Sequence, residues 1–217
     1  MVNPYQVVKD FEKALCDYTG AKYAVTTNSC TMALLLSVAW HLDLRNSLNW
    51  LREPAATLYG DSRQRIEIPS RTYVSVPMSI WWAGGRPTFR DEAWTGAYQL
   101  KPLNVFDSAR RFTSGMYVPG QFQAVSFHAS KICGDTQGGA ILHDNDEADA
   151  WLRRARFDGR KEGVAPKDDN FTQIGWHCYM SNDVAARLLL KLYSLPKHNA
   201  DLPNDQYPDL SLVSIFK

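Results

Sequence analysis

Short apolar runs alternate with helical stretches along most of this 217-residue chain. Residues 22–27 (KYAVTT), 65–69 (RIEIP), 86–90 (RPTFR), 103–107 (LNVFD), 123–128 (QAVSFH) and 138–143 (GGAILH) read as strands. Between and around them lie predicted helices. The first opens on an Asn3-Pro4 cap, runs to about Tyr18 with Val7, Val8, Phe11 and Leu15 on one face, and ends at Gly20. Others cover 31–42, 73–82 and 146–156, the last capped by Asn145 with an acidic start and a basic end. A final helix begins at Ser181 or Asn182 and is stopped by Pro196. This alternation predicts an α/β domain: three layers, α/β/α, around a mixed but mostly parallel sheet covered on both faces. Residues 1–196 form that domain, and 197–217 read as a C-terminal tail or subunit-contact arm.

Apolar residues make up 45% of the chain, enough for a core without disulfides. The net charge of +1 gives no field to draw it onto nucleic acid or anionic lipid. Arg153, Arg154 and Arg156 read as a solvated helix face. The four cysteines form no C-x-x-C pair and the five histidines no H-E-x-x-H, so a metal site is not expected and the thiols are expected reduced. The N-terminus has no signal-peptide apolar region, and MALLLSVAW and VPMSIWWAGG are too short to span a bilayer. A soluble, cytoplasmic protein is expected, with no nucleic-acid or membrane partner.

In such sheets ligands bind beyond the carboxyl ends of the strands. Four groups fall there: the Cys30-Thr31 amides opening a helix, Asp107 ending LNVFD, Ser126 ending QAVSF, and Lys131 in the next loop. Pyridoxal phosphate needs this set. Its phosphate takes amides and hydroxyls, its ring nitrogen a carboxylate, and its aldehyde a lysine amine.

The order of these motifs resembles the DegT/DnrJ/EryC1/StrS family of nucleotide-sugar aminotransferases, of fold type I among pyridoxal-phosphate enzymes. The resemblance rests on FEKALCDYTGAKYAVTTNSCTMAL, IPSRTYVSVPMSIWWAGGRPTFRD, NVFDSA, SFHASKICGDTQGGAIL, RRARFDGR and IGWHCYMSNDVAA, and covers roughly residues 7–193. It implies that Lys131 is the Schiff-base lysine and Asp107 the partner of the pyridine nitrogen. It also implies that Ser126 and the Cys30-Thr31 amides are phosphate ligands and Tyr73 the ring stacked on the cofactor. Arg110 falls where the family has Gln or His near the cofactor's ring hydroxyl. His177 falls at an asparagine that the family supplies to the phosphate from a neighbouring subunit, and Tyr179 stands where the family has arginine. A homodimer with a shared active site is implied. So is amino transfer from an amino acid, glutamate foremost, to a keto group of a nucleotide-linked sugar.

Two departures bear on substrate. The family carries a smaller C-terminal domain after the long helix, and this chain stops at Lys217. Residues 46–64 exceed the family's short loop. Alternative readings are a pyridoxal-phosphate lyase, decarboxylase or dehydratase, and a non-catalytic binding protein on a shortened fold. As single residues, Lys131 could be an ordinary loop lysine, Asp107 a cap and Tyr73 a core aromatic. Trp81 and Trp82 read as core or interface.

Overall fold

The computed structural model describes residues 5–43, 63–204 and 207–216. The Asn3-Pro4 cap and nearly all of the 46–64 stretch lie outside the described residues. Helix α1 (Gln6–Thr19) buries Val8, Phe11, Glu12, Leu15 and Thr19, one face at helical spacing. It ends at Gly20, whose φ of 83° places it in the left-handed region that glycine adopts without strain. Strand β1 (Tyr23–Thr27) leads into α2 (Cys30–His41). This helix starts one residue earlier than expected, because Ser29 caps it by accepting the Met32 N–H at 3.3 Å. Residues 33–39 of α2 are buried without a break, as befits a helix enclosed by the core.

Strand β2 (Arg65–Pro69), helix α3 (Ser75–Trp82) and strand β3 (Arg86–Arg90) form a parallel crossover unit. Helix α3 begins at Ser75, not Tyr73, and the Tyr73 carbonyl only accepts the Val76 N–H at 3.0 Å. A short strand, β4 (Tyr98–Leu100), was not legible in the sequence; three residues carry no readable period. Strands β5 (Val105–Asp107), β6 (Phe122–Ser126) and β7 (Gly139–His143) follow, then α4 (Asp146–Ala155) and α5 (Asn182–Ser194). Asn145 caps α4 as expected, accepting the Ala148 N–H at 2.9 Å.

The main sheet has the order β1-β7-β6-β5-β4. An antiparallel bridge between Glu67 and Lys101 joins β2 and β3 to its β4 edge. Pairing is parallel for β5–β6 and β2–β3 and antiparallel for β1–β7, β6–β7 and β4–β5. Strands β1, β2, β3, β5 and β6 therefore run one way, while β4 and β7 run against them. The sheet is mixed with most strands aligned, and its class is α/β.

Alternate strand residues feed two cores. Val25, Val105, Ala124 and Ile141 pack on α2 and α4, whereas Ala24, Val125, Ala140 and Leu142 pack on α1 and α5. Burial on both faces is why these strands read as unbroken apolar runs.

One expectation is corrected here. Arg156 does not belong to a solvated face; it is 1% exposed and pairs with Glu12, and with Glu162 at 2.8 Å. Glu12 in turn accepts the Thr26 N–H and hydroxyl, both at 2.9 Å, and Arg153 at 2.7 Å. A buried carboxylate on α1 draws the arginines of α4 inward, and single-chain periodicity does not reveal such a partner. Trp81 and Trp82 are 38% and 52% exposed and so are not core residues. No helix among the described residues is long and apolar enough to cross a membrane.

The segment after α5 folds back over its own domain. Asp201 pairs with Arg111 at 2.6 Å, the Leu202 N–H reaches the Arg110 carbonyl at 2.9 Å, and the Leu210 N–H reaches the Ser70 carbonyl at 2.9 Å. Phe216 packs against Trp81 and Phe89.

Candidate active site

A cleft of about 390 Å³ opens where β5 and β6 end and α2 begins. Cys30, Thr31, Tyr73, Asp107, Arg110, Ser126 and Lys131, each singled out from the sequence, all line it. His177 does not. It is exposed and its Nδ1 lies 2.9 Å from Asp158.

Asp107 terminates β5 and is 5% exposed. One oxygen accepts the Tyr98 hydroxyl at 2.8 Å, the other the Ala109 N–H at 2.9 Å. Tyr98 is delivered by register, since it faces Asp107 directly across the β4–β5 pair. Its hydroxyl also contacts Thr72. Burial pushes the Asp107 carboxyl up from its ordinary value; the Ala109 N–H, the Tyr98 hydroxyl and the charges of Lys131 and Arg110 resist that push.

Lys131 sits in a loop pinched shut at its neck. The Phe127 N–H bonds the Gly138 carbonyl and the Asp135 N–H bonds the Phe127 carbonyl, both at 2.9 Å. Inside the loop, the Lys131 N–H meets the His128 carbonyl at 2.8 Å and the Gly134 N–H meets the Lys131 carbonyl at 3.0 Å. A Cβ at Gly134 would fall 2.4 Å from the His128 oxygen, so only glycine fits. From behind, α5 holds the loop: Lys191 donates to the Gly134 carbonyl and Arg187 pairs with Asp135 at 2.8 Å. Burial, then the Arg110 charge, push the Lys131 ammonium down from its ordinary value, while Asp107 and Cys30 pull it back up.

The third part is the first turn of α2. The N–H groups of a helix's first turn have no partners within the helix. The Met32 amide is taken by Ser29, and Cys30 and Thr31 line the cleft. The Thr31 hydroxyl meets the Ser75 hydroxyl at 2.7 Å, so the starts of α2 and α3 converge. Gly139 permits this closeness: a Cβ there would lie 2.5 Å from the Cys30 nitrogen. Burial, then the Asp107 charge, raise the Cys30 thiol well above its ordinary value, so it is a neutral wall.

Tyr73 is 57% exposed at the cleft edge, which removes its reading as a core aromatic. Sequence reasoning missed Thr72, Ser75, Trp94, Tyr98 and Tyr207. Thr72 and Ser75 stand inside a segment quoted for its motif, and their spacing around Tyr73 was an available signal. Tyr98 had none, because β4 was not legible, and Tyr207 lay in a segment read as a tail.

A site that must hold a phosphorylated pyridine aldehyde needs an amine, a buried carboxylate, hydroxyls with helix-start amides, and an aromatic ring. The cleft supplies each from a different element, and these residues fit the group.

Known proteins place the chain further. Residues 1–115 and 115–202 match the DegT/DnrJ/EryC1/StrS aminotransferase family. A curated Campylobacter jejuni protein, UDP-4-amino-4,6-dideoxy-N-acetyl-beta-L-altrosamine transaminase, is 24% identical across 89% of this chain and 58% of its own length. Helicobacter pylori PseC, an aminotransferase involved in the biosynthesis of pseudoaminic acid, superposes with a TM-score of 0.63 at 17% identity, over 89% of this chain and 63% of that one. Bacillus subtilis NtdA, solved with bound cofactor PMP, gives 0.63 at 19% identity, over 87% and 48%. The chain thus spans between 48% and 63% of the length of these relatives, and at such identities the structural likeness speaks for the fold. With both stretches matched, the chain belongs to the DegT/DnrJ/EryC1/StrS aminotransferase family.

Proposed function

We propose that this chain carries out pyridoxal-phosphate-dependent amino transfer from an amino acid, glutamate foremost, to a keto group of a nucleotide-linked sugar. The observation that carries this reading is that Lys131 and Asp107 line one cleft and act on each other electrostatically, with the first turn of α2 on the same rim. The curated relative's name, a UDP-linked amino-sugar transaminase, supplies the substrate class.

When bound, pyridoxal phosphate supplies an aldehyde that captures amines and a ring that withdraws electrons while protonated. Asp107 would hold the proton on the ring nitrogen. Its carboxylate already accepts two hydrogen bonds, from Tyr98 and Ala109, that fix its orientation and leave further lone pairs. The Cys30 and Thr31 amides and the Ser126 hydroxyl would bind the phosphate, adding the α2 dipole. Tyr73 would cover the ring. Lys131, with its ammonium pushed down from its ordinary value, gives up its proton more readily than a solvated lysine, and a neutral amine is what taking a proton from the substrate Cα requires.

The exposed His177 lies outside its own cleft, in keeping with a homodimer in which the partner's His177 completes the phosphate site. Four free thiols are in keeping with a reducing, cytoplasmic setting.

The test is spectroscopic. Protein loaded with pyridoxal phosphate is expected to absorb near the visible edge, and Lys131→Ala to lose that band together with at least about 10³-fold of amine transfer from labelled glutamate to UDP- or TDP-linked keto sugars. A colourless wild type that ignores added cofactor, or an unchanged band in Lys131→Ala, would refute the proposal.

A further inference from the structure

The family match ends at residue 202, yet Tyr207 lines the cleft. Its hydroxyl accepts the Arg110 Nε–H at 3.1 Å, and the guanidinium lies 4.8 Å from the centre of its ring. A second Arg110 nitrogen donates to the Pro203 carbonyl. The Tyr207 ring is stacked on Trp94 at 6.3 Å with 15° between the planes. The chain is fastened on either side: before Tyr207 the Asn204 side chain donates to the Trp94 carbonyl at 2.8 Å and Asp201 grips Arg111, and after it the Leu210 N–H bonds the Ser70 carbonyl at 2.9 Å. Asp201 also fills the space beside Gly96, where a Cβ would collide with its carboxylate at 2.0 Å.

We propose that Tyr207 is a positioning residue of this site: with the Pro203 carbonyl it holds the Arg110 guanidinium in the cleft beside Asp107 and Lys131, so Pro203 and Tyr207, beyond the family match, contribute to the site from within the same chain. Without that clasp the long Arg110 side chain, in the turn after β5, is free to swing into solvent. Clasped, its charge has one fixed place, and the groups it acts on are the two that carry the chemistry. The direction agrees: Arg110 lowers the Lys131 ammonium, Asp107 and Cys30 oppose it, and Asp107 and Tyr73 act on Tyr207 from the other side. This inference rests on the reading of Lys131 as the reacting amine.

The test needs no cofactor. The Lys131 amine is acylated with an amine-reactive reagent from about pH 6 to about pH 10, and its labelling is read by mass spectrometry in wild type, Tyr207→Phe and Tyr207→Ala. Removing the clasp lets the Arg110 charge move away, so the labelling midpoint rises. At pH 8, Tyr207→Ala is expected to label about threefold less than wild type, with a smaller fall in Tyr207→Phe, which keeps the ring under the guanidinium. A merely structural Tyr207 would raise labelling at every pH by opening the cleft, with the midpoint unmoved. That result, or midpoints identical in all three proteins, overturns the proposal. If Tyr207→Ala does not fold, Tyr207→Phe alone decides. Failure of wild type to bind pyridoxal phosphate would overturn the functional reading and leave this comparison standing.

Discussion

Asp107 is an acid kept from water, and at the residue scale that creates a conflict between stability and use. Its folded-state carboxyl lies above its ordinary value, chiefly through burial. Ionising it inside the fold therefore costs stability, and the cost appears as pH rises from the unfolded value, about 3.9, through the folded one. Asp107→Asn removes the charge and keeps an oxygen for one of the two donors. The cofactor-free variant is expected to melt higher than wild type at pH 7, with the difference vanishing below about pH 3. Loaded with cofactor, it is expected to lose about 10²- to 10⁴-fold in amine transfer. Calorimetry at two pH values and a turnover assay check both halves; a lower melting temperature at pH 7 would contradict the first. Asp107 and Lys131 were legible because their types and order suit one chemistry. Tyr98, which orients Asp107, was not: its place depends on a strand pairing invisible in three residues.

At the scale of elements, the site is a meeting of ends. β7 starts against the first turn of α2 with no side chain between them, at Gly139. Gly139→Ala would put a methyl group 2.5 Å from the Cys30 nitrogen and 2.6 Å from the Ser29 carbonyl carbon, both rigid backbone. Strand and helix must then part. The expected cost is about 1–3 kcal/mol of stability, and a phosphate site built on that turn is expected to weaken at least about tenfold toward pyridoxal phosphate. Urea unfolding and an absorbance titration measure these; wild-type affinity in a destabilised variant would separate the turn from the phosphate. Gly139 was readable as the opening of the GGAILH strand. Its partner, the α2 backbone, was not, since the contact joins residues more than a hundred positions apart.

For the whole molecule, a buried charge cluster lies away from the cleft. Glu12 joins Arg156 and Arg153 across the two outer layers. Burial alone would raise its carboxyl, but Arg156, Arg153 and the Thr26 N–H outweigh it and the net direction is down. A depressed carboxyl stabilises the fold above its unfolded value of about 4.3, and this is lost as pH falls through the folded value. Glu12→Gln leaves Arg156 with Glu162 as its remaining carboxylate partner and is expected to cost about 3 kcal/mol at pH 7, about 10 °C in melting temperature. Its stability curve is expected to converge on that of wild type in acid, while affinity for pyridoxal phosphate stays within about threefold. A pH-independent difference between the two proteins would contradict the charge account.

The sequence alone determined the α/β class and the positions of most strands and helices, because strands buried on both faces and helices with caps write their periods into neighbouring residues. It also determined the identity and order of the candidate site groups, because amine, acid and hydroxyl are fixed by residue type. Tertiary structure alone decided that Arg156 turns inward to Glu12, that Tyr98 braces Asp107, and that Tyr207 returns from the chain's last stretch to clasp Arg110. Each of these is a contact between residues far apart in the chain, set by register and by the return of a loop, and no local period carries that information.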